Sequence, residues 1–160
     1  MTLHPQAQAI LDAVAADETS SARSPWEMGA IELRAHFKKT RGFLTPEAPE
    51  VAHVKNIFFP GASENVPARY YRPIGSEVDK ALPLLIFYHG GGWVVGDLDT
   101  HDVICRMMSN RGQFAVVSVD YRLAPENRFP AAVEDAWAAF QWAVGGKGGL
   151  AIDSQKVAVG

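Results

Sequence analysis

The chain has 160 residues, 48% of them hydrophobic, which suits one domain with its own core and excludes a disordered or fibrous protein. Its formal net charge of -3 arises from acids and bases mixed along the chain with no basic cluster, so no nucleic-acid partner is expected. One cysteine, Cys105, excludes an intrachain disulfide, fits a reducing compartment and reads as a small buried hydrophobe.

The opening "MTLHPQAQAI" lacks a basic segment followed by an apolar one, and the apolar run from Leu82 to Tyr88 falls far short of the ~18 residues of a membrane helix. A cytoplasmic protein without a membrane span is therefore expected. Residues 4–16 place Ala7, Ile10, Leu11 and Val14 on one helical face. A second helix is expected to open at "SPWE", where Ser24 and Glu27 form a capping box around Pro25, and to run to about Lys39 before "RGFLTPEAP" breaks it. From Val51 the pattern changes. "VKNIFFPG" and "VPARYYRP", separated by the turn-forming "GASEN", predict two antiparallel strands.

After a polar link come "LPLLIFYH", a helix, "FAVVSVDYR", another helix and "KVAVG". Strands without polar alternation must be covered on both faces, and strands alternating with helices predict a mostly parallel α/β sheet with flanking helices. In the first of these helices Val103, Ile104, Met107 and Met108 are expected to face the sheet; in the second, from Pro130, the expected stripe is Val133, Ala136, Trp137, Phe140 and Val144.

The stretch "HGGGW" at the end of a dry strand needs a reason, because glycine costs roughly 0.5–1 kcal/mol relative to alanine in regular structure. Ligands of open parallel sheets bind beyond the carboxyl ends of the strands. A phosphate cradle fails here: no G-x-x-x-x-G-K-[ST] follows, and G-x-G-x-x-G is absent from the glycine run. Consecutive glycine amides suit instead the negative oxygen that develops in acyl transfer.

Taken together, "HGGGWVVGDLDTHD" and "VDYRLAPENRFPAAVEDAWAA" resemble the hormone-sensitive-lipase group of α/β-hydrolases, which includes bacterial carboxylesterases. That resemblance implies the N-terminal half of an α/β-hydrolase fold, with residues 1–45 as cap helices and 46–160 as the first half of the core. It implies an oxyanion hole with the amides of Gly90 and Gly91, with Gly92 giving the loop its tight course. His89 would brace the loop and not be the catalytic histidine. Trp93 would line the substrate pocket or pack as an aromatic, and Gly96 and Asp97 would occupy the matching position after the loop, Asp97 holding backbone amides. The stretch "DYRLAPE" would support the oxyanion loop, with Asp120, Arg122 and Glu126 as structural charges satisfied by one another or by main chain. No cofactor is implied, and a metal site on His101 and Asp102 lacks further ligands. The implied partner is a small-molecule ester, with a homodimer of the full-length protein left open.

The resemblance also implies a G-x-S-x-G elbow with acid and histidine after it, and the 160 residues contain no such serine: Ser118 lies in a strand pattern, Ser109 in a helix and Ser154 in an expected loop. The expectation is an ester-hydrolase fragment truncated before its nucleophile, inactive and poorly soluble alone because "KVAVG" would be an open apolar edge. Two alternatives stay open, a non-catalytic small-molecule-binding member of the fold group and an inactive truncated product.

Overall fold

The computed structural model describes residues 3–16, 25–146 and 148–160. The chain divides into two compact units, Met1–Leu44 and Thr45–Gly160. In the first, α1 spans Pro5–Ala16, with Ile10 and Leu11 exposed. Ser24 of the expected capping box lies outside the described residues, and Pro25–Glu27 form a 3₁₀ turn instead of opening an α-helix. The following helix, α2, spans Ala30–Leu44 and so outruns its expected end at Lys39. Gly42 does not stop it, since one helical glycine costs only about 1 kcal/mol. Pro46 does, because the residue before a proline is pushed out of the helical region.

The second unit is a five-stranded sheet in the order β1-β2-β4-β3-β5. Strands β1 (His53–Pro60) and β2 (Asn65–Arg72) form the expected antiparallel hairpin, with His53 opposite Arg72 and Pro60 opposite Asn65. β3 (Leu82–Tyr88) and β4 (Ala115–Val119) pair in parallel, joined through α3 (Asp102–Gly112). Helix α4 (Ala131–Val144) then carries the chain across to β5 (Ile152–Val159), which pairs with β3 in parallel on its other side. The strand order therefore reverses at β3, and the carboxyl end of β3 is the switch point where such sheets bind ligands.

Successive strand side chains point to opposite faces, and two cores result. Val116 joins Tyr71 and Cys105 on the α3 face, while Val117 and Val119 join Ile86, Ala139 and Ala143 on the α4 face. Each fully buried valine or isoleucine contributes roughly 1.5–3 kcal/mol, which accounts for the unbroken apolar run of β4. Cys105 is fully buried, and burial pushes its thiol up to about 12.

Both helices keep only part of the stripe the periodicity predicts, Met108 and Phe140 packing against the cores as expected. α3 turns Cys105 and Ser109 to the sheet with Met108 alongside, and Ile104 is exposed. α4 buries Ala131, Asp135, Ala139 and Ala143, while Val133, Trp137 and Val144 are exposed. Small residues four apart let a helix lie close on a sheet, and packing density at that seam outweighs the size of the apolar groups on the other side. β5 also starts earlier than "KVAVG": Ile152 pairs with Leu82 across an irregularity between Leu82 and Leu84, so Ser154 lies in a strand and not in a loop.

The phase of α4 can be checked by urea denaturation of the purified protein. Ala139→Leu, which overfills the seam, is expected to lower stability by about 1–3 kcal/mol. Val144→Ala is expected to change it by no more than about 0.5 kcal/mol. Equal effects, or the reverse order, would place the wrong face on the sheet.

Candidate active site

Because Tyr88 of β3 pairs with Val119 of β4 in parallel, the residues after both strands leave the sheet side by side. Those residues are the loop 89–96 and the segment 120–126. The loop folds back sharply: the Gly91 carbonyl accepts from the amides of Val94 and Val95 at 3.1 and 3.0 Å. Gly91 has φ +139, and a Cβ there would sit 1.9 Å from the Val95 carbonyl oxygen. Gly96 has φ +101, and a Cβ there would sit 2.3 Å from His89 Nδ1. At these two positions only glycine permits the contact. Gly92, with φ +59, also turns in the left-handed region, whereas a Cβ on Gly90 or Gly92 would meet nothing within 4 Å.

Those open positions border a cavity of about 380 Å³, walled by the loop, by Tyr88 and Tyr121, and by Ala132, Val133 and Ala136 of α4. Among the hydrogen bonds of the described residues, none is donated by the amides of Gly90, Gly91 or Gly92. Trp93 lines the same cavity, 65% exposed, with a left-handed φ of 59° unusual for a bulky side chain. Its carbonyl accepts from the Ala124 amide at 2.8 Å, so segment 120–126 holds the loop directly.

His89 is only 2% exposed, and its ring stacks on Tyr121 at 4.4 Å and on His101 at 5.2 Å between centroids. Nδ1 lies 3.0 Å from the Gly90 carbonyl, which can only accept, so Nδ1 carries the proton. The Tyr121 hydroxyl donates a short hydrogen bond to the His89 carbonyl. Asp97 accepts at Oδ1 from the amides of Asp99 and Thr100, at 3.0 and 2.7 Å, closing the turn after the loop.

Arg122 finds a side-chain partner that sequence reading did not name, beside the main-chain contact that it did. Arg122 makes two parallel bonds to Asp135, Nε to Oδ2 at 2.9 Å and Nη2 to Oδ1 at 2.8 Å, and its amide donates to Oδ2 at 3.0 Å. Asp135 is 1% exposed on the inner face of α4, and no expectation singled it out. Its one signal was an acid in register with Ala131 and Ala139. Arg122 is thus satisfied by Asp135, with Glu134 at 3.4 Å and the Ala131 carbonyl at 3.3 Å. Burial raises the Asp120 carboxyl above the ordinary range, opposed by His89. Glu126 lies on the surface.

Outside the cavity, Asp102 at the start of α3 accepts from Arg69 at 3.1 Å and from Tyr71 at 2.8 Å, and pairs closely with Arg106. Arg69 also pairs with Asp99 at 3.0 Å. Among the described residues no three His, Cys, Asp or Glu side chains converge as metal ligands, and no helix is long and apolar enough to cross a membrane.

The sequence profile of the alpha/beta hydrolase fold matches residues 85–160. The chain is 57% identical over 114 residues to the carboxylic ester hydrolase LipN of Mycobacterium tuberculosis, covering 71% of this chain and 29% of that protein. It is 34% identical over 161 residues to ethyl acetate hydrolase of Pseudomonas putida, covering 99% of this chain and 51% of that protein. Among solved structures, a hyperthermophilic esterase from the archaeon Pyrobaculum calidifontis superposes with a TM-score of 0.87 at 40% identity, over 99% of this chain and 49% of that one. The chain spans about half the length of these relatives, or less.

Burial works to raise the Asp102 carboxyl, but hydrogen bonds from Arg106, Tyr71 and Arg69 outweigh it and leave the group below its ordinary value. A lowered folded-state value gives stability that is present above the unfolded pKa of about 3.9 and is lost as pH falls through the folded one. Asp102→Asn is therefore expected to cost stability at neutral pH and to flatten the acid limb below about pH 4. Denaturation midpoints across that range check it, and an unchanged acid limb would count against the network.

Proposed function

We propose that this chain, whose residues 85–160 match the alpha/beta hydrolase fold and which is similar to ester hydrolases, contributes the oxyanion-binding half of a carboxylic ester hydrolase. The observation that carries this reading is a row of three glycine amides bordering a cavity at the carboxyl end of β3, with no hydrogen bond donated from them among the described residues. Unpaired amides held by a rigid loop bind a developing negative oxygen without reorganising, and one such donor contributes roughly 2.7–4 kcal/mol to the barrier reduction.

In this proposal a serine, activated by a histidine with an acidic partner, attacks the ester carbonyl. The amides of Gly90 and Gly91 receive the oxyanion, the alcohol leaves, and water releases the acid. The 160 residues contain no G-x-S-x-G, so the serine, histidine and acid are assigned to the length that the relatives have and this chain does not span. Residues 89–97 and 120–126 then serve as the fixed side of the site, with Trp93 as a wall of the substrate pocket and with Asp97, Asp120, Arg122 and Glu126 as framework. Short to medium acyl esters are the proposed substrates, and the helices of residues 1–45 the proposed cap.

Hydrolysis of p-nitrophenyl butyrate by the full-length protein tests the reading, together with stoichiometric trapping by an alkyl phosphonate. Gly90→Val places a side chain in the open space beside the amides and is expected to lower kcat/KM about 10²-fold with little change in melting temperature. A protein that binds the ester or its acid but neither turns over nor reacts with the phosphonate would be a binding module instead.

A further inference from the structure

A trans peptide unit sets its C=O and its N–H in opposite directions, so whatever grips the carbonyl also aims the amide hydrogen of the next residue. We propose that Tyr121 is a positioning residue for the Gly90 amide: its hydroxyl holds the His89 carbonyl inside the protein and so turns the Gly90 N–H out into the cavity. The inference rests on the ester-hydrolysis reading above for its functional meaning, though not for its geometry.

The hydrogen bond from Tyr121 to the His89 carbonyl is short and buried, and Tyr121 itself is 7% exposed. The phenol has a single proton to give, and the nearby His89 Nδ1, at 3.4 Å, already carries its own toward the Gly90 carbonyl. The same rule applies one unit further on: His89 Nδ1, bonded to the Gly90 carbonyl at 3.0 Å, turns the Gly91 N–H the other way. Two consecutive peptides are thus held by their carbonyls from within. Stacking of the Tyr121 ring on the His89 imidazole couples the two grips, so loss of one loosens the other. Burial, and then the nearby Asp120, keep the Tyr121 phenol protonated and hence a donor across the neutral range.

The test uses the full-length protein with an oxygen ester and the matching thiono ester, whose sulfur accepts amide hydrogen bonds poorly. Tyr121→Phe is expected to lower kcat for the oxygen ester by about 10- to 10²-fold with little change in KM, part of the loss that follows removal of one oxyanion donor. The thiono ester is expected to slow less, so the oxygen-to-sulfur rate ratio shrinks. Tyr71→Phe, which removes another buried hydroxyl on the far side of the sheet, is expected to leave that ratio alone. A crystal structure of Tyr121→Phe is expected to show the 89–90 peptide plane rotated. Equal slowing of both esters, or an unrotated plane, would overturn the proposal. If the unaltered protein hydrolyses neither ester, the function reading falls while the peptide plane still decides this one. Should Tyr121→Phe fail to fold, 3-fluorotyrosine at position 121 keeps the ring and alters only the strength of the donor; an unchanged rate ratio there would also overturn it.

Discussion

Parallel pairing of β3 with β4 is the constraint on which the rest of the second unit depends. β4 is buried along its whole length and β3 buries Leu82, Leu84 and Ile86, so neither can slip by one residue without turning a set of apolar groups the wrong way. That register puts Tyr88 beside Val119, and the two loops that leave the sheet there have no choice but to meet. The contact of Trp93 with Ala124 and that of His89 with Tyr121 follow from this adjacency. A cradle made of main-chain atoms has few side chains to steer it, so its precision comes from a neighbouring segment fixed by the same pair of strands.

Two charged clusters secure this arrangement from opposite faces. On the α4 side, Arg122 and Asp135 form a pair whose acid is buried; taking such charges from water costs several kcal/mol per ion, and the bidentate geometry with the added amide bond offsets much of that cost. The pair ties α4 to segment 120–126. On the α3 side, Asp102 gathers Arg69, Tyr71 and Arg106, tying the first turn of α3 to β2. The loop between β3 and α3 is therefore held at its far end as well as at its start.

The α/β alternation, the hairpin and the glycine loop were all legible in the sequence, because each leaves a local signature: unbroken apolar runs, a turn-rich spacer, three adjacent glycines. The phase of the helices was not. On α4 the large apolar residues Val133, Trp137 and Val144 outweigh the alanines in any periodicity count, yet a helix laid close on a sheet selects for small side chains at the seam. Asp135 was missed because its partner is 13 positions back in the chain, across a loop whose course no local pattern fixes. The stretch containing Tyr121 was legible by resemblance as a support for the glycine loop, but the part of Tyr121 itself was not, because it lies in a bond to a main-chain oxygen 32 residues away. Glycine announces a need for backbone space, but nothing in a sequence announces which way a carbonyl points.

Sealing of the one sulfhydryl has a practical corollary. Cys105 is packed against Tyr71 and Val116 with its thiol held in the protonated form, so it is a poor nucleophile toward maleimides and iodoacetamides under native conditions. A reporter group attached through a cysteine introduced on the rim of the glycine cradle would carry the whole signal, with no background from the native chain and no need to remove its own sulfur first.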